Sequence, residues 1–459
     1  MSARQKLLTP PMPPASKHAL PPFKALRVAK RNVVEVWTRQ AYFAPFMAEK
    51  YLFRWMYVAN NPDAVRHVLV SNSANYEKSK AMQRALQPLV GNGMFVSNGD
   101  TWHKQRRIAI PAFHHKRILA FADFMSEGVE AMLADWDEKP DGSVVALDEE
   151  MANVTAGVVC KAMFSETLGE KGRIVYEGFT EYQAKLTQID YAEMLGLPSI
   201  FSAWPSLKAR RAAKRIRQVI EEIVGDRWDD KQDHGDFLSS LLLTKDSETG
   251  KGLTKTEIRD EMAVIFLAGH ETTANTLSWA LYLISKAPET EARLVSEIKE
   301  VLEGRTATFA DVNNLKFTRA VVDETLRLYP PVPVFSRTAV AADVVDGHEI
   351  KAGSNMMVSP WLMHRHRALW KNPNRFDPDR FLTKEGRPAS KYAYIPFGVG
   401  PRTCLGASFA LTEAVILLAS IVQKFSLTMP TGKDVAPVAR LSLRPHPELP
   451  MVLKKREKS

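Results

Sequence analysis

The sequence predicts a mainly α-helical protein with a smaller β-rich part, an α+β fold. Apolar residues recur at helical spacing over four long segments, at about 116–137, 148–165, 206–233 and 255–287. The clearest strand signal is Tyr51–Val58, which alternates loosely and is rich in aromatic side chains. Of the 459 residues, 45% are hydrophobic and 25% are charged, so the chain has the composition of an ordinary globular protein.

Charge and cysteine usage narrow the class of protein. The net charge is +10, and a basic protein can meet nucleic acid, an anionic membrane or an acidic protein. No zinc-finger, RNP-type or basic-zipper motif supports nucleic acid. Two cysteines argue against a disulfide framework and favour a reducing, cytoplasmic compartment. No run of about 18 uncharged apolar residues occurs, so we expect no transmembrane anchor.

Residues 1–34 form a basic, Pro-rich lead-in, and residues 35–459 are expected to fold as a single domain. The lead-in contains seven Lys or Arg, six prolines and no acid. We therefore expect an extended, poorly ordered segment that ends in a short amphipathic stretch near Ala25–Val36. Nothing in the composition of the remaining chain marks a linker.

The N-terminal half contains a candidate anion site on a helix. A first helix opens at Asn61-Pro62-Asp63 and runs to about residue 72. A later one carries Trp102 and Arg106, which are four residues apart and share a helix face. An indole N–H and a guanidinium that point the same way can bind a carboxylate bidentately. The alternative is a half-buried tryptophan beside a surface ion pair.

The longest predicted helix, at about 255–287, has a polar centre. Thr254 and Glu257 form a capping-box pattern at its start. Its middle reads Ala268-Gly269-His270-Glu271-Thr272-Thr273, where the glycine costs about 1 kcal/mol relative to alanine. A hydroxyl beside such a flexible point can open the helix locally. Glu271 and Thr272 are therefore candidate catalytic residues for moving protons.

A helix at about 317–329 carries a second charged pair. Glu324 and Arg327 are three residues apart, so the carboxylate and the guanidinium share a face. If the pair is exposed, it contributes under about 1 kcal/mol. Two prolines end the helix, and an extended segment with Arg337 follows.

The strongest local signal is Phe397-Gly398-Val399-Gly400-Pro401-Arg402-Thr403-Cys404-Leu405-Gly406, ahead of an apolar helical segment. A cysteine near a helix start is close to backbone N–H groups that favour a thiolate. The glycines let the backbone approach a flat group, and Arg402 adds positive charge. Together they suit a thiolate ligand to a metal in a planar cofactor. A lone cysteine is otherwise most often structural, and zinc is unsupported because the only other cysteine is Cys160.

Four motifs occur in an order that resembles the cytochrome P-450 superfamily. They are Trp-x-x-x-Arg at 102–106, Ala-Gly-x-Glu-Thr-Thr at 268–273, Glu-x-x-Arg at 324–327 and the cysteine loop at 397–406. The resemblance runs from about residue 50 to the C terminus. It implies the family's triangular, mostly helical fold around a buried haem, with a smaller sheet-rich lobe built largely from N-terminal residues.

The resemblance also implies a site for haem b, iron protoporphyrin IX. Cys404 would be the metal ligand, within the loop bounded by Phe397 and Gly406. The haem propionates would be bound by Trp102, Arg106, Arg337 and Arg402.

Further roles follow from the same resemblance. Glu271 would gather protons, and Thr272 would hydrogen-bond dioxygen and place a water. Arg380 would join Glu324 and Arg327 in a buried scaffold. Tyr191–Phe201 would form an apolar lid over the substrate channel, which implies an apolar substrate.

The expected function is a haem-thiolate monooxygenase that inserts one atom of dioxygen into an apolar small molecule. A peroxide-driven or isomerising enzyme and a non-catalytic haem sensor or carrier are the alternatives. Electrons are expected from an acidic ferredoxin-type protein with its reductase. Its docking surface would be a basic cluster on and after the Trp102 helix, while the basic run Lys208–Arg217 is expected to be a solvated helix face. The cluster comprises His103, Lys104, Arg107, Lys116 and Arg117.

Overall fold

The computed structural model describes residues 7–51, 54–165, 169–185, 205–230 and 232–457, and this part of the chain is mainly helical. The predicted α+β class is confirmed. The α-helices are α1 (Pro22–Arg31), α2 (Pro62–Arg66), α3 (Lys80–Val90), α4 (Gly99–Ala109), α5 (His115–Glu138), α6 (Leu147–Phe164), α7 (Gly169–Lys185), α8 (Leu207–Asp226), α9 (Phe237–Leu243), α10 (Lys255–Ser285), α11 (Pro288–Leu302), α12 (Lys316–Leu328), α13 (Pro360–Met363) and α14 (Ala407–Lys424).

The strands form several small sheets. The largest has five strands, in the order Phe46–Tyr51, Arg54–Ala59, Asn355–Val358, Phe335–Ala339 and Tyr76–Lys78. Three of these strands precede residue 80, as the resemblance implies. The strands are β1 (Phe46–Tyr51), β2 (Arg54–Ala59), β3 (Tyr76–Lys78), β4 (Val144–Ala146), β5 (Phe335–Ala339), β6 (Asp343–Val345), β7 (His348–Ile350), β8 (Asn355–Val358), β9 (Phe425–Thr428), β10 (Ala436–Ala439), β11 (Leu443–His446) and β12 (Pro450–Lys455).

Residues 7–20 lie against the body of the protein instead of forming the poorly ordered tail that the sequence predicts. The Leu8 carbonyl accepts a hydrogen bond from the Phe376 backbone N–H, and the Pro11 carbonyl accepts one from the Tyr329 hydroxyl. Proline has no backbone N–H to donate. The Pro-rich segment therefore binds the core through its carbonyl oxygens, which accept hydrogen bonds from core donors. The basic lead-in is therefore held by its backbone.

Helix α10 begins at the predicted capping box and is buried over most of its length. The Thr254 hydroxyl accepts from the Glu257 backbone N–H, and the Glu257 carboxylate accepts from that of Thr254. The helix packs against α6, where a Cβ on Gly269 would lie 3.0 Å from Val159. Glycine thus permits a close helix–helix approach. The predicted local opening is not observed, since residues 255–285 are α-helical throughout.

Two other predicted elements differ in extent. Asn61 caps its helix by accepting the Ala64 backbone N–H at 2.9 Å. The α-helix then ends at Arg66, and a wider π-type turn, His67–Ser71, continues to the predicted end. The predicted lid Tyr191–Phe201 lies outside the described residues.

Glu324, Arg327 and Arg380 form the predicted buried scaffold. Arg327 donates from Nε and Nη2 to the two carboxylate oxygens of Glu324, at 2.6 and 2.8 Å. Its other N–H groups reach carbonyls of residues 364, 373 and 375. Arg380 Nε donates to the same carboxylate at 3.1 Å. Because the Glu324 and Arg327 side chains are fully buried, the charges stabilise one another and fix the chain beside the site.

Helix α14 follows the cysteine loop and forms part of the core. Among the described residues it is the one helix that could cross a membrane by length and composition, and most of it is buried inside the protein. It ends at Lys424, close to the predicted end near Phe425.

Candidate active site

Cys404 lies in a tight loop directly before α14. Its backbone N–H donates to the Phe397 carbonyl at 2.9 Å, and the Thr403 N–H donates to the Gly400 carbonyl at 3.0 Å. Gly400 has a φ of +76°, and a Cβ there would come within 2.1 Å of the Leu69 carbonyl oxygen. Glycine is therefore required at this point of the loop. The loop directs the cysteine into a large internal cavity.

This cavity has a volume of about 960 Å³ and is bordered by every residue that the sequence predicts for the site. The cysteine loop and the centre of α10 both reach it, although they are far apart in the chain. Its predicted lining residues are Trp102, Arg106, Glu271, Thr272, Arg337, Phe397, Arg402, Cys404 and Gly406.

Four of the basic side chains that border this cavity lie close together, and sequence reasoning missed one of them. Lys78 Nζ lies 5.6 Å from the centre of the Trp102 ring, and the guanidinium carbons of Arg106 and Arg402 lie 5.6 and 5.3 Å from it. The fourth is Arg337, which faces Lys78 across β3 and β5. Lys78 belongs to no motif, so only the strand register reveals it.

These four basic side chains have no carboxylate partner in the described part of the chain, and the Nε atoms of Arg337 and Arg402 are buried without a hydrogen-bond partner there. Burial, aided by the neighbouring arginines, lowers the pKa of Lys78 to about 6. Burial likewise lowers the pKa of Arg337 to about 10. Such a cluster requires an anion, and the two propionates of a haem fit it.

The Cys404 sulfur is accessible from the cavity. Burial raises the pKa of its thiol, while the Gly406 backbone N–H and the charge of Arg106 oppose that rise. Arg106 Nη2 donates to the Thr403 carbonyl at 2.8 Å, so this guanidinium lies beside the cysteine. Arg402 donates instead to the Tyr76 carbonyl at 2.7 Å. An accessible cysteine sulfur beside these basic side chains suits the iron of a haem.

The predicted acid–alcohol pair faces the same cavity, and the acid has a partner that sequence reasoning missed. The Thr272 hydroxyl donates to the Ala268 carbonyl at 2.8 Å. Glu271 Oε1 accepts a 2.6 Å hydrogen bond from the Ser442 hydroxyl. Arg444 Nη2 lies 3.9 Å from the same oxygen. The acid is therefore tied to the segment at the start of β11.

Three members of the predicted basic docking cluster are paired with acids, so the cluster is less basic than the sequence indicates, and docking there stays a prediction. Lys104, Arg107 and Arg117 form ion pairs with Glu257, Asp246 and Asp233 respectively. His103 and Lys116 remain exposed. The run Lys208–Arg217 is the exposed face of α8, as predicted, because its alanines and Ile216 point into the core.

Known proteins resemble this chain over nearly its whole length. A profile of the cytochrome P450 family matches residues 12–452. Cyclooctat-9-en-7-ol 5-monooxygenase of Streptomyces melanosporofaciens is 34% identical over 379 residues, which are 81% of this chain and 80% of the relative. Cyclooctatin synthase of the same organism is 33% identical over 401 residues, 86% of this chain and 85% of the relative. The crystal structure of the cytochrome P450DA haem domain has the same fold, with a TM-score of 0.80, 24% identity and 98% coverage of both chains.

Proposed function

This chain belongs to the cytochrome P450 family, and we propose that it inserts one atom of dioxygen into an apolar small molecule by hydroxylation or epoxidation. Members of this family are monooxygenases that use oxygen and a redox partner and act on small molecules. One observation carries the proposal. A single cavity joins an accessible thiol, four basic side chains without a carboxylate partner in the described chain, and an acid–alcohol pair.

The proposed cofactor is haem b. Cys404 would ligate its iron, and Arg106, Arg337, Arg402 and Lys78 would hold its propionates beside Trp102. Bound there, the haem would supply dioxygen activation, which a thiolate ligand favours. The fit is supported by basic side chains without a carboxylate partner, and by buried Nε atoms without a hydrogen-bond partner, in the described chain.

Other side chains around the cavity would supply protons and exclude water. Glu271 can hold a proton at its carboxyl group, and the Thr272 hydroxyl can orient a water or a dioxygen molecule in the cavity. The apolar lining would exclude bulk water, which strengthens every electrostatic interaction inside.

An apolar substrate is supported by the rest of the cavity wall. Most of the remaining lining is aliphatic or aromatic, and such surface binds apolar ligands by excluding water. Cyclooctat-9-en-7-ol 5-monooxygenase is itself named for an unsaturated alcohol. The apolar side chains include Met82, Met94, Phe95, Val264, Ile265 and Leu267.

The proposed electron donor is an acidic ferredoxin-type protein with its reductase, in the cytoplasm. The net charge of +10 favours an acidic partner. Lys104, Arg107 and Arg117 are already paired with acids, whereas Lys116, at the start of α5, is exposed.

Reconstitution with a ferredoxin and its reductase tests the proposal. Apolar candidates are first titrated into the ferric protein, and those that shift the haem from low to high spin are used as substrates. We expect NAD(P)H consumption coupled to a product that carries one atom from ¹⁸O₂. Full turnover with peroxide alone would identify a peroxide-driven enzyme, and a rearranged product without label would identify an isomerase. Spectral binding without any turnover would identify a sensor or carrier.

A further inference from the structure

We infer that Ser442 positions Glu271 for proton transfer, with Arg444 as the charged outer end of the same contact. This inference deepens the proposed function and rests on it, since Glu271 matters only if the protein consumes protons. It also implies that protons reach Glu271 from the side of the molecule formed by β10, β11 and the turn between them. Ser442 therefore acts through Glu271 and is a positioning residue.

The hydrogen bonds around Ser442 fix its direction. Its hydroxyl donates to Glu271 Oε1 at 2.6 Å, and its oxygen accepts from Asn275 Nδ2 at 3.2 Å. Asn275 lies one helical turn after Glu271, so both belong to the same face of α10. A hydroxyl has one proton to give. Because the Asn275 amide donates to the Ser442 oxygen, the Ser442 hydroxyl is free to donate its proton to the Glu271 carboxylate.

The backbone that carries Ser442 is itself held in place. The Leu443 N–H donates to the Pro331 carbonyl at 2.9 Å, and the Arg440 N–H donates to the Ser442 carbonyl at 3.1 Å. On the preceding strand, the Ala439 N–H donates to Asn32 Oδ1 at 2.9 Å. These contacts close the turn on itself and attach it to two separate parts of the chain, at Pro331 and at Asn32. The hydroxyl therefore meets Glu271 at a fixed distance.

Arg444 extends the contact towards the surface. Its side chain is 38% exposed, that of Glu271 is 13% exposed, and Ser442 is buried. Arg444 Nη2 lies 3.9 Å from the oxygen that accepts the Ser442 hydroxyl. At that distance its charge attracts the carboxylate without occupying the hydrogen-bond position. Glu271 thus lies between an exposed cation and the cavity.

The opposite side of α10 is closed by packing at the same level. The His270 ring is buried, with its centre 4.7 Å from that of Phe266 and 6.0 Å from that of Phe179. The preceding Gly269 faces Val159 of α6. Burial also lowers the pKa of His270, so this imidazole is neutral at physiological pH. The β10–β11 side, where Ser442 and Arg444 lie, thus offers Glu271 a polar approach that the packed α6 side does not.

Substitutions at Ser442 test the assignment, with product formed per NAD(P)H as the main measurement. We expect Ser442→Ala to lower this ratio and the turnover rate several-fold, to increase the solvent isotope effect on turnover, and to leave the substrate spin shift unchanged. Ser442→Thr keeps the hydroxyl and should restore most of the loss. Arg444→Gln, at a partly exposed position, should give a smaller loss. Ser420→Ala removes another buried serine, whose hydroxyl accepts the Ala307 N–H, and should leave the ratio unchanged.

Two further measurements exclude a merely structural effect. Hydrogen peroxide brings reduced oxygen that already carries its protons, so peroxide-driven turnover of Ser442→Ala should match that of the parent. In the haem-loaded protein, the infrared carboxylate band that Glu271→Gln abolishes should shift in Ser442→Ala, because the carboxylate loses a hydrogen bond.

The outcomes separate this inference from the proposed function. If Glu271→Gln leaves coupling unchanged, Glu271 is not in the relay and that part of the proposed function fails. If Glu271→Gln uncouples turnover while Ser442→Ala and its infrared band match the parent, only the inference is overturned. If Ser442→Ala does not fold, Ser442→Thr and Arg444→Gln decide. The assignment is contradicted if Arg444→Gln couples like the parent and Ser442→Thr, which keeps the hydroxyl, is nevertheless uncoupled.

Discussion

Lys78 and Arg337 lie directly opposite each other on neighbouring antiparallel strands, and both side chains reach the cavity without a carboxylate to pair with. Burial and the charges of Arg402 and Arg337 lower the pKa of Lys78 to about 6, so Lys78 is mostly uncharged at neutral pH unless an anion lies beside it. Lys78 donates to the Met94 and Ser97 carbonyls at 2.7 and 2.6 Å, which holds the ammonium group in place. A bound anion, such as a haem propionate, would explain the pair.

We expect Lys78→Met to weaken haem binding. A hydrogen bond to a charged group contributes about 1.5–3 kcal/mol, so haem loss should become about tenfold faster or more. The measurement is haem transfer to excess apomyoglobin. Lys286→Met, which removes an exposed lysine, is the control and should release haem at the parental rate. A parental rate in Lys78→Met would show that the ammonium group does not contact the propionates.

Replacing Cys404 with histidine should remove the thiolate-type red-shifted band from the carbon monoxide spectrum of the reduced protein. The reason is that Cys404 is the cysteine whose sulfur faces the cavity. Cys160→Ala is the control. Burial raises the pKa of the Cys160 thiol to about 12, so it is not a thiolate at neutral pH. Persistence of the band in Cys404→His would show that another residue binds the iron.

Loss of Glu324 should prevent stable haem binding. Glu324→Ala would leave the buried Arg327 without its carboxylate, and breaking a buried pair costs roughly 3–5 kcal/mol. That is a large part of the 5–15 kcal/mol of a typical domain. Asp379→Ala breaks the exposed pair with Arg293 and should cost under about 1 kcal/mol. Thermal melting and haem content measure both effects. Equal melting temperatures in the two variants would contradict the buried role.

The sequence predicted those parts of the site that are local in the chain. The cysteine loop, the Trp102–Arg106 face and the Glu324–Arg327 pair are each set by spacings of a few residues. Lys78 was missed because its role depends on which strand lies beside β3. Ser442 was missed because its bond to Glu271 joins residues 171 apart in the chain.

Charge was predicted less well than fold, for a related reason. The sequence predicted that the basic residues of α4 would be exposed and unpaired, yet Lys104 forms an ion pair with Glu257, which lies 153 residues later in the chain. A sequence shows which residues are charged, but the pairing of distant charges appears only when the helices are packed. Most helix ends were predicted to within a few residues, because caps such as Thr254 act locally, whereas α8 ends at Asp226, well before the predicted residue 233.

Glu413 makes stability depend on pH. It is fully buried on α14, and burial raises the pKa of its carboxyl to about 8 from 4.5. The folded protein thus binds more protons than the unfolded chain between about pH 4.5 and 8, so this group lowers stability as pH rises through that window. Glu413→Gln should gain stability relative to the parent, by a few kcal/mol at pH 8 and little at pH 5. Urea unfolding across this range measures the difference, with exposed Glu300→Gln as control. A pH-independent difference would contradict the assignment.

The last prediction concerns the proposed ferredoxin and the surface beside the cysteine loop. Lys104, Arg107 and Arg117 are already paired with acids, so their charges attract a partner weakly. Exposed Lys116, just before Arg117, should therefore contribute more to docking. Electrostatic steering acts mainly on the association rate and is screened beyond about 8 Å at physiological ionic strength.

We expect Lys116→Glu to slow first-electron transfer from an acidic ferredoxin about threefold at low salt, an effect of the size that charge steering produces, and the difference should vanish at high salt. Lys214→Glu reverses an exposed charge on α8 and serves as the matched control. Stopped-flow rates across a salt series compare the three proteins. If Lys214→Glu slows transfer and Lys116→Glu does not, docking occurs on the basic face of α8. If neither the variants nor salt changes the rate, charge does not guide this partner, because screening acts on any steering by exposed charges.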